Sequence, residues 1–229
     1  MATLVTYRLE GSTATIGLDD GKVNALSLEM LTEINGALDR AEADRATVVL
    51  TGREGVFSAG FDLPVLRRGG PDAVAMLRAG FELAERLLSF STPVLLVCTG
   101  HAVAMGVFLL LSGDYRLGAV GPYKITANEV AIGLTMPRAA VEICRQRLTP
   151  AHFNRAVILA EPFTPADAVT AGFLDRVVDP AELHHTARTT AEALGGLDLD
   201  AHAATKQRAR EAALRAIREG IAADAASFR

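Results

Sequence analysis

Residues 93–106 read Pro93-Val94-Leu95-Leu96-Val97-Cys98-Thr99 and then Gly100-His101-Ala102-Val103-Ala104-Met105-Gly106. The first half is a continuous apolar run, which is typical of a strand buried on both faces. The second half is built from small residues and leads into the apolar run 107–111, which predicts a turn followed by a buried helix. This strand, turn and helix together indicate an α/β fold.

Upstream of this unit the sequence predicts a hairpin and two helices. Val5 to Leu9 and Thr13 to Leu18 alternate apolar and polar residues, the pattern of two antiparallel strands joined by a tight turn. Ser27 is placed to cap an amphipathic helix, and Thr47 to Thr51 is a short β-branched strand. The helix predicted over Asp72 to Ser89 then precedes the buried strand. The order of a helix followed by a strand therefore occurs twice after the hairpin.

Downstream of this unit, short strands and helices alternate up to about residue 180. The predicted strands are 113–119, 123–126 and 175–178, and the predicted helices are 137–147, 150–159 and 165–171. Beyond Pro180 the composition turns to Ala, Glu and Arg, which predicts helices over about 181–194 and 201–219. We therefore expect an α/β core over residues 1–180 and a helical region over 181–229.

Composition limits the classes of protein and of partner. The chain has 229 residues, half of them hydrophobic, and a formal net charge of −4. A chain this apolar is globular, and without a basic face it is not expected to bind nucleic acid. The longest apolar runs fall short of the ~20 residues that cross a bilayer, and no export signal is visible. The two cysteines, Cys98 and Cys144, match no metal spacing and suit a reducing cytoplasm.

Two turns rich in small residues are candidates for binding an anionic oxygen. They are Phe57-Ser58-Ala59-Gly60-Phe61-Asp62-Leu63 and Gly100 to Gly106, each placed between a strand and a helix. N–H groups at such turns lack helical partners. If the two strands are parallel neighbours, these N–H groups converge as an oxyanion hole requires. Taken singly, the first segment is more simply explained as an ordinary turn and the second as tight helix packing.

Glu129 is the candidate acid or base, since it is a carboxylate set among apolar residues. A surface-loop glutamate is the alternative interpretation. If the side chain is buried, desolvation raises its pKa toward the range useful for proton transfer near neutrality. Phe108 can neither donate nor accept a proton and is predicted to be a core or pocket wall. The five histidines show no metal-ligand spacing, so no metal site is expected, and no nucleophile elbow, Walker loop or dinucleotide fingerprint is present.

These segments resemble the crotonase, or enoyl-CoA hydratase/isomerase, superfamily over about residues 3–229. The motifs that carry the resemblance are Lys22-Val23-Asn24-Ala25-Leu26, residues 57–63, residues 100–106 leading to Asp114-Tyr115-Arg116, the pair Asn128-Glu129, and residues 168–178. The resemblance implies a spiral of ββα turns, a helical C-terminal region and assembly as a homotrimer or hexamer. It also implies an acyl-CoA thioester as ligand, with coenzyme A as part of the substrate and no separate cofactor.

The resemblance also implies roles for individual residues. By motif position, the N–H groups of Phe61 and Met105 hold the thioester oxygen, although the family usually has Gly where this chain has Met105, whose side chain must therefore point away. The expected lining of the CoA path comprises Lys22, Val23, Ala25, Ala59, Gly60, Asp62, Leu63 and Gly106. Lys206 and Arg210 on the last helix are candidates for CoA phosphates, against the alternative of a solvated helical face.

Family hydratases use two glutamates, which correspond here to Phe108 and Glu129. Only the second is present, a pattern similar to the Δ3,Δ2-enoyl-CoA isomerases. The expected reaction is therefore migration of a 3-enoyl double bond to the 2-position, with Glu129 as the single base and a wall that includes Phe108, Leu109 and helix 72–89. Two alternatives stay open. One is a hydratase in which another acid, such as Asp62, replaces the missing one, and the other is an acyl-CoA-binding protein without catalysis.

The last expectation concerns residue 229, which lies about where family members commonly begin one more helix over the active site. The resemblance therefore predicts neither how the pocket is closed nor which type of oligomer forms.

Overall fold

Strands and helices alternate along residues 3–227, the part of the chain that this computed structural model describes. The strands are β1 (Val5–Glu10), β2 (Thr13–Leu18), β3 (Thr47–Thr51), β4 (Gly55–Ser58), β5 (Val94–Cys98), β6 (Gly100–Val103), β7 (Tyr115–Ala119), β8 (Ile125–Thr126) and β9 (Arg176–Val178). The helices are α1 (Leu28–Ala43), α2 (Leu63–Arg68), α3 (Gly70–Ser89), α4 (Met105–Leu110), α5 (Arg138–Arg145), α6 (Pro150–Val157), α7 (Pro165–Ala171), α8 (Pro180–Gly195) and α9 (Leu199–Ser227), with a 3-10 turn at Val130–Ile132.

The strands form two sheets, and from β3 onward successive strands alternate between them. The larger sheet has the order β1-β2-β3-β5-β7-β9, and the smaller one has the order β4-β6-β8. Among the paired strands within residues 3–227, β1 and β2 are antiparallel and the other pairs are parallel. Strands β3 and β5 of the larger sheet are each followed by a strand of the smaller sheet and then by a helix. The predicted α/β class, with a ββα spiral and a helical C-terminal region, is confirmed.

Most predicted elements are present, with small changes at their ends. Ser27 caps α1 by accepting a hydrogen bond from Met30 N, as predicted. The strand predicted over 93–99 is β5, whose five residues are all buried. Strands β4 and β6 were not predicted, because they are short and rich in small residues and so carry no alternating pattern. They form by pairing with each other in parallel.

Helix α4 is the centre of the core, and a glycine lets it pack there. All six of its residues are buried. A Cβ on Gly106 would lie 2.4 Å from the carbonyl oxygen of Ser58 at the end of β4. A larger residue at this position would push α4 away from the strand. The predicted buried helix after the Gly-rich turn is therefore present, and it begins at Met105.

The C-terminal helix α9 is attached to the sheet through the buried carboxylate of Asp114. This carboxylate forms ion pairs with Lys206 Nζ at 2.6 Å and Arg210 Nη1 at 2.9 Å, and it accepts a hydrogen bond from Val94 N at 2.7 Å. The interpretations of Lys206 and Arg210 as phosphate ligands or as a solvated face are both wrong, because the two side chains are only 3% and 14% exposed. Burial lowers the pKa of Lys206, and Asp114 opposes that shift.

The division at residue 180 stays a prediction, although α8 begins there. Residues 1, 2, 228 and 229 of the two predicted regions lie outside the described residues. No helix within residues 3–227 is both long and apolar enough to span a membrane.

We predict that Asp114→Asn lowers the free energy of unfolding by about 3 kcal/mol or more, since it leaves buried cations without a counter-charge. Urea unfolding followed by circular dichroism measures the change. Asp200→Asn is the matched control, because the Asp200 side chain is 87% exposed in its pair with Arg45 and exposed pairs contribute at most about 1 kcal/mol. Equal effects of the two substitutions would contradict the assignment of Asp114 as the anchor of α9.

Candidate active site

A large, mostly apolar cavity of about 1190 Å³ lies between helices α2 and α3, the two small-residue turns and the segment 128–138. Its volume exceeds the range of about 300–1,000 Å³ that is typical of small-molecule sites, so it can hold a large ligand. The lining residues are Ala59, Phe61, Leu63, Leu66, Gly69, Gly70, Pro71, Ala73, Val74, Ala75, Leu77, Arg78, Phe81, Ala104, Phe108, Asn128, Glu129, Ile132, Leu134, Thr135, Met136, Pro137, Arg138 and Asp224.

The two small-residue turns meet at one side of this cavity. They follow β4 and β6, which are parallel neighbours, as the oxyanion-hole argument requires. A Cβ on Gly60, which has a φ of +90°, would lie 2.9 Å from Ala104 Cβ and 3.1 Å from Met105 N. The turns are therefore in direct contact, and only a glycine fits between them.

Two backbone N–H groups are unused where the turns meet. Within residues 3–227, the N–H groups of Phe61 and Met105 donate no hydrogen bond. Met105 is the first residue of α4, where an N–H has no intrahelical acceptor. Unused donors beside an apolar cavity are available to an oxygen atom of a ligand.

The backbone at Ala104 is strained in a way that shapes the second turn. Ala104 has φ 51° and ψ −125°, which a residue with a Cβ rarely adopts. Its N–H donates to the carbonyl of Thr126 at 3.0 Å, which ties the turn to β8. Strain of this kind persists only where the surroundings hold it and is frequent in active sites.

The side chain of Met105 is turned away from the cavity. It is fully buried, it is absent from the cavity lining, and its Cε would lie 3.6 Å from a Cβ on Gly80 of α3. The Met105 side chain therefore points away from the cavity, as the resemblance requires of a methionine here, and it leaves the Met105 N–H unobstructed.

Glu129 also lines this cavity. The residue is only 7% exposed and its Oε2 atom has no hydrogen-bond partner, so the surface-loop alternative is wrong. Burial raises the pKa of this carboxyl from 4.5 to about 7, and a hydrogen bond from its own N–H opposes the shift. The neighbouring Asn128 Oδ1 is also buried and without a partner. This part of the wall thus presents acceptors that only a ligand or water can satisfy.

Phe108 belongs to an aromatic group beside Glu129. It is 1% exposed and lines the cavity, which confirms the predicted pocket wall. Its ring stacks on Phe81 at 6.1 Å between centroids, and Phe81 meets the ring of Phe61 edge-on at 6.1 Å. The expected wall from the predicted helix 72–89 is present in α3, whereas Leu109 does not line the cavity.

The other candidate acids are engaged elsewhere. Asp62 caps α2 by accepting from Val65 N at 3.2 Å and does not line the cavity. Asp224 of α9 does line it, but its carboxylate accepts from Arg138 N and Ala139 N at 3.1 Å. Among the described residues, Glu129 is thus the lining acid with an unpartnered carboxylate oxygen. No cluster of three or more His, Cys, Asp or Glu in residues 3–227 is arranged to hold a metal ion.

Comparison with known proteins agrees with this architecture. The sequence profile described as enoyl-CoA hydratase/isomerase matches residues 8–229. The chain belongs to this family. A curated relative, mouse mitochondrial enoyl-CoA delta isomerase 1, is 33% identical over 181 residues, which cover 77% of this chain and 63% of the mouse protein. The chain therefore spans less than two thirds of that relative.

Two bacterial family structures match over nearly their full length. An enoyl-CoA isomerase from Mycobacterium tuberculosis, solved without ligand, is 48% identical with a TM-score of 0.96, covering 100% of both chains. An enoyl-CoA hydratase from Mycobacterium marinum is 47% identical with a TM-score of 0.95, covering 99% of this chain and 100% of the other. Similar family members thus carry both enzyme names.

The predicted CoA-path residues fall into three groups in this family member. Ala59 and Leu63 line the cavity, whereas Gly60, Asp62 and Gly106 belong to the turns and the helices that follow them without lining it. Lys22, Val23 and Ala25 lie in a loop outside the cavity lining, and this loop contacts the first turn, since Ala59 N donates to the carbonyl oxygen of Val23 at 3.0 Å. The carboxylate of Asp20 in that loop accepts from the N–H groups of Lys22 and Ala25 at 2.7 and 2.8 Å. Roles of these residues in holding CoA stay predictions.

Several cavity residues of this family member were not predicted from the sequence. The sequence predicts helix 72–89 as part of the wall, but its spacing does not single out Phe81 or its contacts with Phe61 and Phe108. Arg138 and Asp224 come from distant segments and meet only through the packing of α5 on α9. Asp20 carried a weak signal, since an Asp before Gly in a turn often accepts nearby N–H groups.

We predict that Glu129→Gln raises the stability of the protein at pH 8 but not at pH 4.5. A buried carboxyl with a raised pKa contributes stability that is complete below the unfolded pKa of 4.5 and is lost as the pH rises through about 7. The neutral amide avoids this loss, so the variant gains up to about 3 kcal/mol at pH 8. Urea unfolding at both pH values measures the difference.

The exposed Glu54→Gln serves as the control for this pH experiment. A gain of the Glu129 variant that is the same at both pH values would contradict the burial of an ionisable carboxylate.

Proposed function

We propose that the protein is an enoyl-CoA isomerase that converts a 3-enoyl-CoA to the 2-enoyl thioester. Glu129 is the single base, and the N–H groups of Phe61 and Met105 form the oxyanion hole. The observation that carries the proposal is the unpartnered Oε2 atom of Glu129 in an apolar cavity beside two unused N–H groups. The isomerases among the relatives support it.

The proposed reaction moves one proton and one double bond. The Glu129 carboxylate removes a proton from C2, and the electrons of that C–H bond flow into the thioester to give a dienolate. The two N–H groups stabilise the negative oxygen, a contribution of about 2.7–4 kcal/mol for each donor. The same carboxyl then returns the proton at C4, so the 3,4 double bond becomes a 2,3 double bond. Atoms and charge balance without a cofactor.

The environment of Glu129 suits this task. A pKa near 7 leaves about half of the carboxyl ionised at neutral pH, so the group can accept and return a proton. The aromatic wall of Phe61, Phe81 and Phe108 keeps water from the dienolate, which favours migration of the double bond over hydration.

Hydration is the second candidate, and one observation favours it. The unpartnered Oδ1 of Asn128 lies beside Glu129 in sequence and can accept a hydrogen bond from a water molecule. The hydratase among the relatives supports it too. Against it stands the lack of a second free acid, because Asp62 and Asp224 are engaged. Binding of acyl-CoA without catalysis is the third candidate, and incubation with 3-enoyl-CoA and 2-enoyl-CoA separates all three.

The assembly and the compartment are part of the same proposal. We assign the protein to homotrimers or hexamers on the basis of its family, which size-exclusion chromatography with light scattering tests. A reducing cytoplasm fits the thiols of Cys98 and Cys144, which are both buried and free.

We predict that Glu129→Gln lowers kcat for 3-enoyl-CoA isomerisation by about a thousandfold or more, since the base is lost while the cavity keeps its shape. In the unmodified protein, kcat/KM should rise with pH up to about 7 and then level off, because only the ionised carboxylate removes a proton. Absorbance of the conjugated thioester follows the reaction. A variant that retains more than a tenth of the activity would contradict the role of Glu129.

We predict that Gly60→Ala lowers kcat by about a hundredfold, because its Cβ would push the two turns apart and misplace the N–H groups. Gly11→Ala is the control, since Gly11 also has a positive φ of +58° but nothing within 4 Å of its Cβ position. The control separates backbone strain from the clash. Equal kcat values for the two variants would argue against the oxyanion hole.

A further inference from the structure

One face of α3 forms a long wall of the cavity. Ala73, Val74, Leu77 and Phe81 of this helix all line it. The last three recur every three or four residues, so they lie along one stripe of the helix. This stripe is a surface along which an elongated ligand can lie.

Phe81 marks the end of the stripe that is nearest to the proposed catalytic groups, which we call the reacting end. Its ring lies 6.1 Å from the rings of both Phe61 and Phe108, which stand beside the two turns and Glu129 in the cavity wall. Val74 is seven residues earlier in α3 and therefore about 10.5 Å further along the helix axis. The cavity thus continues about 10 Å beyond the reacting end.

That distance sets the length of a hydrocarbon chain. An extended chain advances about 1.2 Å per bond, since a three-bond residue spans about 3.3–3.6 Å. The stripe from Phe81 to Val74 therefore accommodates about eight or nine carbons. The first four carbons of a 3-enoyl thioester take part in the reaction and lie at the Phe81 end.

We propose that the cavity binds acyl chains with an affinity that rises with length up to about twelve carbons, that the tail lies along α3, and that Leu77 lines the path of the tail partway along it. The inference rests on the proposed function, since it places the thioester at the two turns. Leu77 is four residues from Phe81, about 6 Å along the helix. A bulky residue there would block the chain near its ninth carbon.

The tail that fits this stripe is apolar. The charge of Arg78 is paired with Glu82, whose Oε1 lies 2.7 Å from its Nε. Asp224 is satisfied by two N–H groups of α5. A hydrocarbon chain therefore meets no buried polar group that needs a partner at this end.

Part of the cavity wall is open to solvent. Leu63, Ile132 and Leu134 line the cavity and are 39%, 52% and 48% exposed. A chain longer than the stripe can therefore reach solvent, so further carbons should add little binding rather than prevent it.

Calorimetric titration with saturated acyl-CoAs tests this inference, because these ligands bind without reacting. We expect the affinity to rise at least a hundredfold from butanoyl-CoA to dodecanoyl-CoA and then to change less than threefold at hexadecanoyl-CoA. Full burial would give up to about fourfold per methylene. Affinities within threefold from butanoyl-CoA to dodecanoyl-CoA would overturn the inference.

Leu77→Trp supplies the residue-level test. The ratio of dodecanoyl-CoA to hexanoyl-CoA affinity should fall at least tenfold in this variant. Asp72→Trp is the control on an exposed position of α3 outside the cavity, and it should leave the ratio unchanged. Equal ratios in both variants would overturn the role of Leu77. Circular dichroism confirms that each variant folds.

A ligand with a carboxylate at the far end checks the apolar assignment. Dodecanedioyl-CoA should bind at least tenfold more weakly than dodecanoyl-CoA. Tighter binding would contradict the apolar tail site and would indicate that the end of the chain lies at Arg138, which also lines the cavity. These titrations are independent of catalysis. A protein that shows the chain-length dependence but no isomerisation would overturn the proposed function and leave this inference standing.

Discussion

The structure depends on keeping one ionisable carboxyl group in an apolar cavity. Removing Glu129 from water costs free energy, which the raised pKa of about 7 expresses. The residues around it do not offset this desolvation, since Oε2 receives no hydrogen bond. A group held in this way can exchange a proton with a ligand, and the two unused N–H groups where the turns meet complement the negative charge that such an exchange creates.

The scaffold holds these groups in place through close backbone packing. Strands β4 and β6 lie side by side in parallel, and Gly60 and Gly106 allow the turns and α4 to approach them. The strained Ala104 is held by its hydrogen bond to Thr126. Far from the cavity, Asp114 attaches α9 to the sheet, and α9 in turn supplies Asp224 to the N-terminus of α5. The positions of the wall and of the helical region are therefore linked.

The sequence predicted the elements with strong local signals. The apolar run of β5, the Ser27 cap and the buried helix after the Gly-rich turn are all present, since burial and capping depend on neighbouring residues. Strands β4 and β6 escaped prediction because they are stabilised by each other rather than by their own patterns. The candidate base Glu129 was recognised from its apolar surroundings.

Long-range packing accounts for what the sequence left open or assigned wrongly. Lys206 and Arg210 have the composition of a solvated face, and only their meeting with Asp114 reveals that they are buried. The stacking of Phe81 on Phe108 likewise joins two helices whose relation no spacing rule specifies. Which residues line the cavity therefore depends on contacts between segments that are distant in sequence.

The measurement that tests this account most directly is an infrared pH titration of the Glu129 carboxyl, taken as the difference between the unmodified protein and Glu129→Gln. The account predicts a protonated-carboxyl band that disappears with a midpoint near pH 7. A midpoint near 4.5, the value of an ordinary glutamate in water, would contradict the central claim that this carboxyl is desolvated and ready to move a proton.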